Sequence, residues 1–289
     1  MTESETHTLN VPGATLRYDV RDAEAAESAP PLLMIASPMD ASGFTTLAGH
    51  FRDRTVVTYD PRGASRSERA DGATHGTPDE HADDLHRLIA AVGGGPVDIF
   101  ASSGGAVNAL ALVARHPEQV RTLVAHEPPS AQVLQDREEA QAAIVDIHET
   151  YMRDGLGPGM AKFIAITGVN GPIPPDYTDR PAPDPTAFGL PTEDDGTRDD
   201  PMLGEHIVAV THYEFDFDAL RVAPTRIVVA AGAEPEGEFT YRAALAVAEG
   251  LRTEAVIFPS HHAGFLGGEF GQQGDPDAFA AKLSDVLGD

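Results

Sequence analysis

Side chains of the three types that acyl transfer needs stand just beyond apolar runs of the chain. Ser103 follows residues 97–100, Glu127 follows 121–126, and His262 follows 254–258. A serine hydroxyl attacks a carbonyl carbon well only when a base removes its proton during the attack. Imidazole suits that task near neutral pH, and a carboxylate orients the imidazole and stabilises its charged form. Together these types point to nucleophilic chemistry at a carbonyl. The residues alone leave choices open: Ser102 adjoins Ser103, His261 adjoins His262, and Glu234 and Glu236 compete with Glu127.

The elements that must position these groups read as alternating strands and helices. Residues 32–36 form a continuous apolar run, as a strand buried on both faces should, and 55–59, 121–126 and 226–230 read as further strands of the same sheet. Residues 7–11 and 15–20 alternate and are joined by Pro12-Gly13, which predicts an antiparallel edge pair. Helices are expected over 44–51, 78–92, 240–249 and 276–287, with Thr77 capping the second and Leu85, Leu88, Ile89 and Val92 on one face. This pattern predicts an α/β fold with a mostly parallel central sheet, helices on both faces, and reactive groups at the C-terminal strand ends. From 130 to 223 the pattern changes. Helical stretches at 131–152, 159–166 and 203–213 flank a segment, 171–200, dense in Pro and Asp. The expectation is a core of residues 1–129 and 224–289 with a helical cap inserted at 130–223, the Pro/Asp segment forming a surface loop or lid.

Strand 97–100, the turn Ala101-Ser102-Ser103-Gly104-Gly105 and the helical run behind it resemble the nucleophile elbow of the α/β-hydrolase family, with Ala in place of the first Gly of G-x-S-x-G. In that elbow the nucleophile sits on a strained backbone, so the residues two before and two after it must be small. Ser103 has Ala101 and Gly105 there; Ser102 would have Phe100. The turn Asp60-Pro61-Arg62-Gly63 adds to the resemblance and implies a loop-fixing role for Asp60 and Arg62. The family order, Ser then acid then His, implies His262 in the loop Pro259-Ser260-His261-His262-Ala263-Gly264-Phe265. The commonest acid position is taken by Pro235, flanked by Glu234 and Glu236. A subset of the family carries the acid where Glu127 stands, and Glu127 is preferred. The resemblance also implies an oxyanion hole, with the Gly104 N–H as one donor. The second would be the Ser37 or Met39 backbone or the Ser37 hydroxyl, because Pro38 has no N–H. Ser102-Ser103-Gly104 and His126-Glu127-Pro128 look like motifs of the zearalenone-type lactonases, which open macrocyclic lactones with a Ser-Glu-His triad. His126 itself is expected to be a supporting or surface residue.

The resemblance implies a cofactor-free serine hydrolase acting on a carboxylic ester or lactone through an acyl-enzyme. A small-molecule receptor on the same fold, or a lyase or acyltransferase using the same triad, are the alternatives. Composition narrows the field further. A net charge of −26 opposes phosphate backbones and anionic membranes and favours solubility. The longest apolar runs fall short of a membrane span, and the polar, acidic start lacks the layout of a signal peptide, so a cytoplasmic location is expected. With no cysteine, thiolate metal sites and thiol nucleophiles are excluded. His81 with Asp83 and Asp84 does not make a convincing metal set, and no phosphate-binding loop follows a strand, so neither metal nor nucleotide cofactor is expected.

Overall fold

The expected strands form and pair into one sheet. The computed structural model describes residues 4–24, 29–73, 76–93 and 95–288. Among these, nine strands are present: β1 (Glu5–Val11), β2 (Ala14–Arg21), β3 (Leu32–Ser37), β4 (Val56–Tyr59), β5 (Glu68–Arg69), β6 (Val97–Ser103), β7 (Val120–His126), β8 (Arg226–Gly232) and β9 (Val256–Phe258). The order is β1-β2-β4-β3-β6-β7-β8-β9, with β5 beside β2. β1 and β2 form the antiparallel edge pair, β2 meets β4 antiparallel, and every pairing from β4 to β9 is parallel. The chain winds outward in one direction through β3 and β4 and in the other through β6 to β9. Their boundary, between β3 and β6, is the switch point at which such sheets bind ligands.

Side-chain alternation sends each strand's residues to two cores. Leu33, Ile35, Ile99, Ala101, Leu123 and Ala125 pack on one face with α2 (Pro78–Ala91), α3 (Gly104–Arg115) and α8 (Phe239–Gly250). Leu32, Met34, Phe100, Val124 and Val228 pack on the other face with α1 (Thr45–Ala48) and α9 (Pro276–Leu287). Thr77 caps α2 as expected, and Glu80 completes a reciprocal capping box.

Between β7 and β8 the chain is helical: α4 (Arg137–Asp154), α5 (Leu156–Thr167), α6 (Glu205–Thr211) and α7 (Phe217–Val222). Ile144, Ile147, Tyr151, Ile166, Leu203 and Ile207 form a third apolar cluster, closed from below by Phe239 and Ala243 of α8. Residues 171–200 contain only two short 3-10 turns, Tyr177–Asp179 and Pro185–Phe188. α7 departs from this layer, because Leu220 packs into the sheet core beneath α3.

Several bounds differ from expectation. Residues 44–51 do not make one helix: a 3-10 turn, Ala41–Phe44, passes into the single turn of α1, which Gly49 ends. α4 begins at Arg137 and not at 131, because the preceding residues form a turn whose Ala131 and Gln132 N–H groups bond the Thr211 carbonyl at the end of α6. α7 and β5 were not legible as periodic runs.

Candidate active site

β6 ends in a backbone that few residues adopt. Ser103 has φ 55° and ψ −131°, and α3 starts at the next residue. The turn is tight because α3 lies directly on β3. A Cβ added to Gly105 would stand 2.6 Å from the Ala36 Cα, and one added to Gly104 would stand 2.6 Å from the Ser37 carbonyl oxygen. The side chain of Ser103 is thereby lifted off the sheet into a cavity of about 510 Å³ that Ser37, Gly104, His261 and His262 also line. Gly104 opens α3, so its N–H belongs to the first turn, whose amide groups have no partner within the helix.

Glu127 leaves β7 with φ 47° and is buried. Its Oε2 lies 2.6 Å from the His262 Nδ1 and accepts from the Thr240 hydroxyl at 2.8 Å, while Oε1 accepts from the Gly232 N–H at 2.8 Å. Burial alone would raise this carboxyl. The bond to His262, the neighbouring imidazoles and the Gly232 N–H outweigh it and hold the group down at about 2. A carboxylate that stays ionised while bonded to Nδ1 leaves Nε2 of His262 as the basic nitrogen. The other acid candidates stand apart: Glu234 is exposed, and Glu236 accepts from the Tyr241 hydroxyl at 3.3 Å. His261 faces away from the acid, with Nε2 3.2 Å from the Gln273 carbonyl.

His126 is not a surface residue. It is fully buried, its Nδ1 lies 3.2 Å from the Ser102 hydroxyl, and its ring sits among Phe100, Phe258, Phe265 and Phe279. Burial pushes it down to about 4, so it is neutral in the folded chain. The Asp60 turn is held as its residues suggested. Buried Asp60 accepts from the Ala41 and Arg66 N–H groups, both at 3.1 Å, and Arg62 forms a two-pronged pair with Asp84 at 2.6 Å per bond. Asp84 is thus engaged by Arg62, and His81 is turned toward His206.

Three residues of the cavity escaped the sequence reading, Thr240, His206 and Glu238, as did the role of Gly232 as a donor to Glu127. Gly232 and Thr240 serve Glu127 from the end of β8 and the first turn of α8, and no spacing rule links them to it. Glu238 is the formally charged side chain among the described cavity residues, which include neither Lys nor Arg. Burial, then the nearby Glu127 charge, raises its carboxyl. Much of the remaining wall is apolar, with Ile144, Phe163, Ile166, Met202, Val210 and Phe239 from the helical layer and α8. A larger open depression of about 820 Å³ lies by β2 and β4, lined by Asp19, Arg21, Asp40 and Arg66, and contains none of the candidate groups.

Comparison with known proteins agrees with this architecture. A family model described as the alpha/beta hydrolase fold matches residues 38–166. The chain is 34% identical over 264 residues to the uncharacterized hydrolase YraK of Bacillus subtilis (strain 168), covering 89% of each chain. Among solved structures it is similar in fold to an enol-lactonase from Burkholderia xenovorans, with a TM-score of 0.66, 16% identity, and coverage of 98% of this chain and 100% of that one. It is likewise similar to the carboxylesterase CesB of Bacillus subtilis, with a TM-score of 0.60, 17% identity, and coverage of 99% and 93%. A parallel sheet with its switch point between β3 and β6, an elbow at the end of β6, and a relative this similar over nearly the whole chain lead to one assignment: the protein belongs to the α/β-hydrolase family.

Proposed function

We propose that this α/β hydrolase is a cofactor-free serine hydrolase that cleaves an uncharged carboxylic ester or lactone through an acyl-enzyme. The observation that carries the reading is the 2.6 Å bond between the buried Glu127 carboxylate and His262, on the wall of the same cavity that receives the strained Ser103. Ser103 Oγ attacks the carbonyl carbon while His262 Nε2 takes its proton. The Gly104 N–H stabilises the oxyanion, and Ser37 supplies the second donor. The tetrahedral intermediate collapses as His262 returns the proton to the departing alkoxide. Water, activated by the same imidazole, then releases the acid and frees Ser103.

Residues 130–223, except for α7 in the sheet core, act as a cap over a core of 1–129 and 224–289, and the cap supplies much of the cavity wall. The lack of cationic residues among the described cavity residues, with Glu238 present, disfavours substrates that carry a free carboxylate besides the ester or lactone. The test is burst release of chromophore from a neutral p-nitrophenyl ester, with a fluorophosphonate mapped to its attachment site. A burst with label on Ser103 supports the reading; binding without turnover and without labelling would make the fold a receptor instead.

A further inference from the structure

The reaction scheme leaves unused a histidine that the helical layer carries into the cavity. His206 belongs to α6, between β7 and β8, and is buried. Its Nε2 lies 3.5 Å from the Ser37 Oγ. A Cβ built on Gly104 would stand 3.2 Å from the same nitrogen. Ser37 pairs in register with Ser103 across β3 and β6, so Ser37, Gly104 and the His206 ring converge beside the nucleophile. The other side of the His206 ring meets His81 edge to face, with centroids 6.2 Å apart and planes at 86°. His81 is itself buried, and burial holds it well below the ordinary imidazole range, so it backs His206 as an uncharged wall.

We propose that His206 is a positioning residue of the oxyanion hole: its Nε2–H donates to the Ser37 Oγ, which turns the Ser37 hydroxyl proton toward the tetrahedral oxyanion. The proposal rests on the serine-hydrolase reading above. The need for it is chemical. Pro38 follows Ser37 and has no N–H, so the loop after β3 is one donor poorer than usual. A hydroxyl can supply the missing bond, but it is both donor and acceptor and rotates freely. A donor fixed at its oxygen removes that freedom and commits the proton to the substrate, with no proton transferred. Because His206 stands on α6, the second oxyanion donor is assembled only while the helical layer sits on the sheet.

The test uses the full chain and a neutral p-nitrophenyl ester. Ser37→Ala and His206→Ala should each lower kcat by roughly 10²-fold while KM stays within about threefold, as expected for loss of one oxyanion donor. The double variant should fall no more than about threefold below the worse single, because both changes remove the same bond. His206→Gln, whose amide can donate to the same oxygen, should recover most of the kcat lost in His206→Ala. The proposal is overturned if His206→Ala moves KM alone, if the two losses multiply, or if Gln does not rescue. If His206→Ala fails to fold by circular dichroism, Ser37→Ala and His206→Gln decide: Gln near wild type with Ser37→Ala impaired sustains it, and Ser37→Ala at wild-type kcat ends it. Full turnover by Ser103→Ala would instead sink the serine-hydrolase reading itself.

Discussion

Ser102 and Ser103 are neighbours in the chain, but their surroundings, one against His126 and one in the cavity that His262 lines, differ in almost everything. Ser102 and His126 share a hydrogen bond of 3.2 Å inside a cage of phenylalanines. Ser103 and His262 line an open cavity, and His262 is bonded to a carboxylate. The difference starts in the strand. Ser102 shares the parity of Phe100 and falls on the face packed by α9, whereas Ser103 is the residue at which the chain turns into α3. Among the described residues no carboxylate is hydrogen-bonded to the His126 ring, whose Nε2 has no hydrogen-bond partner there. A serine and an imidazole in contact are therefore not enough. A nucleophile needs access, a base whose charged form is stabilised, and a surface that receives the oxyanion.

The largest expected effect separates the two serines. Ser103→Ala should lower kcat by about 10⁴-fold or more with the fold intact. A fluorophosphonate should label Ser103; label on Ser102 would reverse the comparison. Next comes the acid. Glu127→Gln should lower kcat by about 10³- to 10⁴-fold, because the imidazole loses its orienting charge and tautomer. Glu234→Gln should change it by less than about tenfold. If Glu234→Gln is the dead enzyme, His262 draws its carboxylate from the β8–α8 turn and not from β7.

A smaller effect concerns stability at the buried pair. The unfolded chain takes up a proton on His126 below its ordinary 6.5, and the folded chain does so only below about 4. Stability should therefore fall as pH drops through that window. Glu127 acts in a lower one. Its carboxylate adds stability above the ordinary 4.5, which is lost as pH falls toward about 2. Urea unfolding of Ser102→Ala/His126→Phe should show a flatter dependence between pH 6.5 and 4 than wild type, and an unchanged slope would mean that His126 is not held neutral. Either single change strands one polar group in the apolar cage, at a cost of about 1–3 kcal/mol, so the double variant should be more stable than either single. The smallest effect is on catalysis at this pair: Ser102→Ala should leave the rate of ester turnover within about tenfold of wild type.

Much of the architecture was determined by the sequence alone, because it is written in short-range pattern. The continuous apolar run 32–36 suits a strand buried on both faces, and Thr77 ahead of an apolar helix face marks the start of α2. The preference for Ser103 over Ser102 also rests on neighbouring residues, since an elbow would tolerate Ala101 and Gly105 but not Phe100, and the fluorophosphonate label tests it. Relations across long stretches of chain are settled only once the elements pack. Glu127 meets a histidine 135 positions away, and the Thr240 and Gly232 donors that hold it come from a different strand and helix. His206 reaches Ser37 across 169 positions, and His126 finds its burial among aromatic residues from four separate segments. Periodicity reports which face of its own element a residue occupies. Which element that face meets is set by the order in which strands pair and helices stack, and no local pattern records it.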